Sequence, residues 1–455
     1  MIEVMIAAPA SGSGKTVLTC ALLAALKQRG LGPCAFKCGP DYIDPMFHRS
    51  VLGVESHNLD LFLAEEAAVR RLYVRYGAGH GAAVLESAMG FYDGLGGSTD
   101  RASGWHAADV LNVPVLLAVR PKGASLTLAA QIRGLLDFRR PSHIAGIFLM
   151  DCSPMLAKSL TPMLERETGL PVLGFLPHME EAALESRHLG LYTAGEIPGL
   201  ASRLDRVAGE LARTMDWEKF LALFGGRAVQ EMPEMSASSG QVPIAVARDA
   251  AFCFLYEEAL DALRDAGTDL LFFSPLRDVR LPEGACGLYL PGGYPELYAA
   301  QLMENAEMRS AVRRAVEGGL PTVAECGGFL YLGRSLEGAD GKTYPMTGYL
   351  PGEGVRKERL VRFGYAELTA GSDSLLFRAG ESVPVHEFHY WDSTENGGGL
   401  TAVKPLTGRS WRCGFVGERL YAGFPHLYFA GRPALAERFV RAAEQYQKER
   451  EKYGV

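Results

Sequence analysis

The chain alternates short apolar runs with longer stretches in which apolar residues recur at helical spacing. Ile2–Ala8 is apolar apart from Glu3 and reads as a buried strand. Thr16–Arg29 follows with apolar residues at helical spacing, and Gly30 is a suitable stop. Cys34–Lys37, Ala82–Glu86, Val113–Val119, Ile144–Met150 and Val172–Leu176 are further strand expectations. Strands of this kind, separated by helical segments, predict a parallel sheet covered by helices on both faces. The alternation stops at Gly225–Val242, which reads GGRAVQEMPEMSASSGQV and has the composition of a linker. It restarts with Ile244–Ala247, Leu270–Phe273, Leu288–Leu290 and Thr322–Glu325. The pattern predicts two tandem α/β domains, residues 1–224 and 243–455, joined by a linker at 225–242. The charged tail Glu437–Lys452 has helical composition and is expected to form a solvated terminal helix.

Composition narrows the function classes. With 455 residues, 48% apolar and 22% charged, the chain suits a soluble globular protein with two or three cores. A formal net charge of -7 gives no reason to expect nucleic acid as a partner. The start, MIEVMIAAPASGSGK, lacks the basic segment and long apolar run of a secretory signal. No apolar run approaches the roughly 20 residues that cross a bilayer, so no membrane is expected. Eight scattered cysteines without a CxxC pair indicate neither a zinc ribbon nor a disulfide framework, and suit a reducing cytoplasm.

Two motifs carry chemistry. The first strand runs into Pro9-Ala10-Ser11-Gly12-Ser13-Gly14-Lys15-Thr16 and then a helix, the context of a phosphate-binding loop. Gly12 and Gly14 let the backbone approach a polyphosphate, while N–H groups and the helix start supply partial positive charge. Lys15 adds a full charge, and the Thr16 hydroxyl can hold Mg²⁺. Pro9 stands where the usual pattern has a glycine. Asp41, Asp44 and Glu86 fall where strands should end, and carboxylates there can complete an Mg²⁺ shell beside a nucleotide. Each of these acids also suits a cap or a turn.

In the second half, Thr322–Glu325 leads into Cys326-Gly327-Gly328 and an apolar helix, a nucleophile elbow. The helix start is expected to favour thiolate, and nearby N–H groups to form an oxyanion hole. Leu290-Pro291-Gly292-Gly293-Tyr294-Pro295-Glu296 offers a second set of N–H groups facing Cys326. A thiol nucleophile also needs a base, for which His426, His386 and His389 are candidates.

Taken together, KCGPDYIDPMFH and HNLD in the first half, then LPGGYPE, AECGGFLYL, HEFHYW and FPHLYF in the second, resemble the cobyrinate a,c-diamide synthase family along essentially the whole chain. The N-terminal half is similar to dethiobiotin synthetases and the C-terminal half to class I glutamine amidotransferases. The resemblance implies a carbon–nitrogen ligase with glutamine as amido donor. Such an enzyme amidates the a and c acetate carboxylates of cobyrinic acid in cobalamin biosynthesis. It uses ATP, Mg²⁺ and L-glutamine, and it proceeds through acyl phosphates. It implies Cys326 as nucleophile, with His426 raising its nucleophilicity. Gly12, Ser13, Gly14, Lys15 and Thr16 would hold phosphates, and Thr16, Asp41, Asp44 and Glu86 the metal.

The chain departs from these relatives at several positions. Many class I glutaminases carry Glu two residues after the His, where this chain has Tyr428, so the third triad member stays open. Ala324, Ser87 and Arg120 also replace residues common in such enzymes. Another tetrapyrrole, such as nickel-sirohydrochlorin, is the nearest rival substrate. A non-amidating P-loop ATPase switch is the rival of another class, and it predicts no glutaminase activity. A homodimer is left open.

Overall fold

The computed structural model describes residues 1–180, 186–187, 190–191, 199–226 and 242–453. The chain divides into two compact units, Met1–Pro233 and Glu234–Val455. Most of the linker expected at 225–242, and part of the segment Glu185–Leu191, lie outside the described residues.

In the first unit, seven parallel strands lie in the order Ser56–Leu59, Pro33–Cys38, Ala82–Glu86, Ile2–Ala7, Val115–Val119, Ile144–Leu149 and Val172–Phe175. Ile2–Ala7 is central and buried at all six positions. A strand covered on both faces needs a continuous apolar run rather than alternation. Its one acid, Glu3, accepts a hydrogen bond from Tyr73 Oη at 2.8 Å, which offsets part of the cost of burying it. The helix Lys15–Gln28 follows and buries Leu18, Leu22 and Leu26. Around Ile2–Ala7 the chain runs to both sides of the sheet, which opens a crevice at the strand ends. The register pairs Glu86 with both Ile6 and Lys37, so these residues meet at that end.

In the second unit, one six-stranded sheet runs Thr268–Phe273, Val242–Ala247, Gly287–Leu290, Thr322–Glu325, Leu420–Gly423 and Phe415–Gly417. Its first five strands are parallel and the last is antiparallel. A second sheet is built around two long antiparallel strands, Glu353–Ala370 and Ser382–Ser393. Alternation in the sequence does not announce it. The run RKERLVR within Glu353–Ala370 is polar and largely exposed, and register shifts between Arg356 and Gly364 break the period of two. The HEFHYW motif lies on Ser382–Ser393, as a largely buried strand.

The terminal helix Pro433–Tyr453 departs from the solvated helix expected. Leu435, Ala436, Phe439, Val440 and Ala443 are all buried, a stripe at helical spacing. A methyl group on Gly287 would sit only 3.3 Å from Phe439 Cζ, so the helix packs directly on the sheet. Phe439→Ala is expected to cost about 3–5 kcal/mol, whereas Arg441→Ala, on the exposed face, should stay within about 0.5 kcal/mol. Urea unfolding of the two variants checks this, and equal small effects would restore the solvated helix.

Candidate active sites

The first candidate centre lies where adjacent strands of the first unit end. Gly12 and Gly14 have φ of 73° and 91°, a region that side-chain-bearing residues seldom adopt. A methyl on Gly14 would also lie 2.8 Å from Met150 Cε. Ser13 Oγ donates to the Ala10 carbonyl at 2.9 Å and closes the loop on itself. Lys15 Nζ donates to the carbonyls of Ala10 and Met89. Burial pushes Lys15 down to about 8, against the opposing pull of Glu86. A phosphate beside it would favour its charged form.

Thr16, Asp44 and Glu86 meet around a residue the sequence reading gave no role, Lys37. Thr16 Oγ1 donates to Glu86 Oε1 at 2.7 Å. Lys37 Nζ lies 2.8 Å from that same oxygen and 2.5 Å from Asp44 Oδ2. Burial alone would lower Lys37, but Asp44 and Glu86 hold it well above its ordinary value. Burial likewise opposes ionisation of Asp44, yet Lys37 keeps it below the ordinary carboxylate value. Glu86 Oε2 is buried with no hydrogen-bond partner. An orphaned carboxylate oxygen is costly, and a cation is the group that relieves it. Thr16 and Glu86 therefore fit Mg²⁺ as hard oxygen donors, with Asp44 close by.

Asp41 borders this cluster. Its Oδ1 accepts the Ile43 N–H at 2.8 Å, a turn contact, while burial and Asp44 push it up to about 6. Among the described residues no group of three or more His, Cys, Asp or Glu is placed to hold a metal ion. Arg120 pairs with Asp151 at 2.9 Å, and its guanidinium lies 3.6 Å from a methyl position on Gly14, so it borders the phosphate loop. The signal for Lys37 was present in the sequence: it is the one charged residue in Pro33–Cys38, a strand buried at all six positions.

The second candidate centre is the elbow at Cys326. Its backbone sits at φ 47° and ψ −100°, between Thr322–Glu325 and the short helix Gly327–Leu332. Such strain persists only where the surroundings enforce it. Here Gly328 lets the helix start press on the preceding loop, since a methyl there would lie 2.1 Å from the Leu290 carbonyl. The expectation of a resting thiolate is corrected. Burial, then Glu296 and Glu387, drive the Cys326 thiol well above its ordinary value and outweigh a hydrogen bond from the Gly327 backbone. Desolvation wins over one short helix start, so this thiol would need a base in order to act as a nucleophile.

His426 follows Leu420–Gly423, which pairs in parallel with the strand that carries Cys326. A methyl on Gly292 would lie 2.6 Å from His426 Cε1 and 3.5 Å from Cys326 Cβ. His426 and Cys326 thus both lie against the loop that contains Gly292 and Gly293. His389 is engaged elsewhere: Nδ1 with the Trp391 carbonyl at 2.5 Å, Nε2 with Glu387 Oε2 at 3.1 Å, and its ring stacked on Phe424. His386 shares a backbone bridge with His426, but its ring joins Phe363, Tyr365 and Phe388, and burial pushes it down to about 3.

Comparison with known proteins agrees with this two-centre arrangement. Residues 4–191 match the model of the CobQ/CobB/MinD/ParA nucleotide binding domain, and residues 243–434 that of the CobB/CobQ-like glutamine amidotransferase domain. A cobyrinate a,c-diamide synthase from Synechococcus is 38% identical over 98% of this chain and 99% of its own. The chain belongs to the cobyrinate a,c-diamide synthase family. The relative bearing that name in Caldanaerobacter subterraneus is 37% identical over 93% of this chain and 94% of its own. That in Salmonella typhimurium is 36% identical over 97% and 98%. Among the described residues no helix is long and apolar enough to cross a membrane.

The buried ion cluster of the first centre gives a stability prediction. Lys37→Met should cost about 3–5 kcal/mol at neutral pH, because it leaves buried carboxylates unpaired. The folded value of Asp44 lies below its ordinary 3.8, so the pairing contributes above that pH and is lost as pH falls through the folded value. The gap between wild type and variant should therefore narrow on acidification. Denaturant unfolding across pH checks this, and a gap that widens in acid contradicts it.

Proposed function

We propose that this chain amidates the a and c acetate carboxylates of cobyrinic acid, with ATP as activator and glutamine as nitrogen source. The observation that carries this reading is full-length similarity to cobyrinate a,c-diamide synthases, in a chain that also pairs a phosphate-loop centre with a cysteine elbow. In the second unit, His426 takes the Cys326 proton as Sγ attacks the side-chain amide of glutamine. Backbone N–H groups of the elbow and of the Gly292–Gly293 loop stabilise the oxyanion. The C–N bond breaks, the leaving nitrogen regains a proton and departs as ammonia, and water hydrolyses the glutamyl thioester to glutamate.

In the first unit, Gly12, Ser13, Gly14 and Lys15 hold the phosphates of ATP. A substrate carboxylate attacks the γ-phosphorus, which yields ADP and an acyl phosphate. Ammonia then displaces phosphate to leave the amide. This order follows from reactivity: a free carboxylate has no leaving group for ammonia to expel, and an acyl phosphate does. Mg²⁺ bound by Thr16 and Glu86, with Asp44 and Asp41 nearby, would neutralise charge that develops on the phosphates. Lys37 offsets one of the two charges of Asp44 and Glu86 and leaves Glu86 Oε2 for the metal. The eight cysteines are free, which suits a reducing cytoplasm as the site of action.

Two variants test the division of labour. Cys326→Ala should abolish use of glutamine and spare amidation with added ammonia. Lys15→Ala should impair amidation with either nitrogen source by at least about 100-fold. Measurement of ADP and amide formation with each donor checks both. A folded Cys326→Ala protein inactive with ammonia, or a Lys15→Ala protein with near-normal turnover at saturating ATP, would count against the reading.

A further inference from the structure

The position two residues after His426, where an acid would complete a triad, holds Tyr428. That ring is buried and packs edge-on against Tyr256 at 5.1 Å, so it orders a hydrophobic cluster. An acid beside the imidazole comes from another strand. Glu325 Oε2 lies 3.7 Å from His426 Nδ1, and both side chains are almost wholly buried. We infer that Glu325, the residue immediately before the nucleophile, is the positioning residue for His426 and the third member of the glutaminase centre. The inference rests on the amidotransferase reading above.

Three observations support it. Glu325 Oε1 accepts the Leu427 N–H at 3.0 Å, and Leu427 follows His426 directly. One side chain thus clamps the segment of the base to the strand of the nucleophile, and the register Glu325–Gly423 reinforces that clamp. Second, Glu325 Oε2 has Tyr289 Oη as a neutral donor at 3.1 Å, and among the described residues no Lys or Arg pairs with Glu325. A buried carboxylate is costly without a compensating charge. The one group beside it that gains positive charge during the reaction is His426, as it takes the thiol proton. Third, the other ionisable groups around that imidazole add no competing cation. Cys326 is held as a thiol by burial and nearby carboxylates, and His386 is held neutral by burial. Glu325 would thus orient Nδ1 and stabilise the imidazolium, the work of the acid in a hydrolytic triad. At 3.7 Å the pair is an ion-pair contact rather than a hydrogen bond, a separation common in catalytic sites without substrate.

Two variants of opposite sign test this. Glu325→Gln keeps the volume and an acceptor for Leu427 N–H but removes the charge. It should lower glutamine-dependent kcat by about 100-fold, shift the acid limb of the kcat/KM profile to lower pH, and leave ammonia-dependent amidation unchanged. Tyr289→Phe removes the neutral donor competing for Oε2. It should retain glutaminase activity and shift the same limb to higher pH. If Glu325→Gln fails to fold, as urea unfolding of the purified variant would reveal, the Tyr289→Phe profile decides alone. Wild-type protein that releases no ammonia from glutamine overturns the amidotransferase reading and this inference with it. Wild-type glutaminase activity with both pH profiles unmoved overturns the inference alone.

Discussion

Both candidate centres depend on one constraint: their reacting groups hang from the carboxyl ends of buried parallel strands. In the first unit, Ile2–Ala7, Pro33–Cys38 and Ala82–Glu86 deliver the phosphate loop, Lys37 and Glu86 to one end of the sheet. In the second, Thr322–Glu325 and Leu420–Gly423 deliver Cys326 and His426 side by side. A strand buried at every position cannot slip along its neighbours without carrying one apolar end residue out of the core and drawing a flanking loop residue into it. The cores thus fix the positions of the chemistry, and the loops that follow need only short, glycine-rich turns.

Burial then creates the electrostatic problem that each centre solves. In the first unit, desolvation would discharge Lys37 and Asp44 separately, and their mutual contact keeps both charged. In the second, desolvation keeps Cys326 protonated until a base acts. The same logic gives a buried acid next to the His426 imidazole its use.

Much of this was legible in the sequence because it is local. Apolar runs bounded by glycine or acid marked most strands of the two sheets to within a few residues, but not the edge strands Ser56–Leu59, whose SHNL is mostly polar, and Phe415–Gly417. Lys15-Thr16 and Cys326-Gly327-Gly328 marked the turns at their ends. What was not legible is long-range. Nothing in the spacing of Lys37, Asp44 and Glu86 shows that one ammonium bridges both acids. Glu325 looked like the last residue of a strand, and only pairing with Leu420–Gly423 brings it to His426. The two long strands of the second sheet were obscured by a polar, bulged segment around Arg356–Gly364. The terminal helix was misjudged because its charges are conspicuous, although its buried stripe of Leu435, Phe439 and Ala443 is equally regular.

The most direct test of the central claim is the mass of the tetrapyrrole itself. Purified protein incubated with cobyrinic acid, glutamine and Mg·ATP should yield a product that has lost about one mass unit at each of two carboxylates, as acid becomes amide. ADP and glutamate should accumulate in step with it. Unchanged cobyrinic acid under these conditions, with another tetrapyrrole amidated in its place or with ATP hydrolysed and no amide formed, would contradict the account.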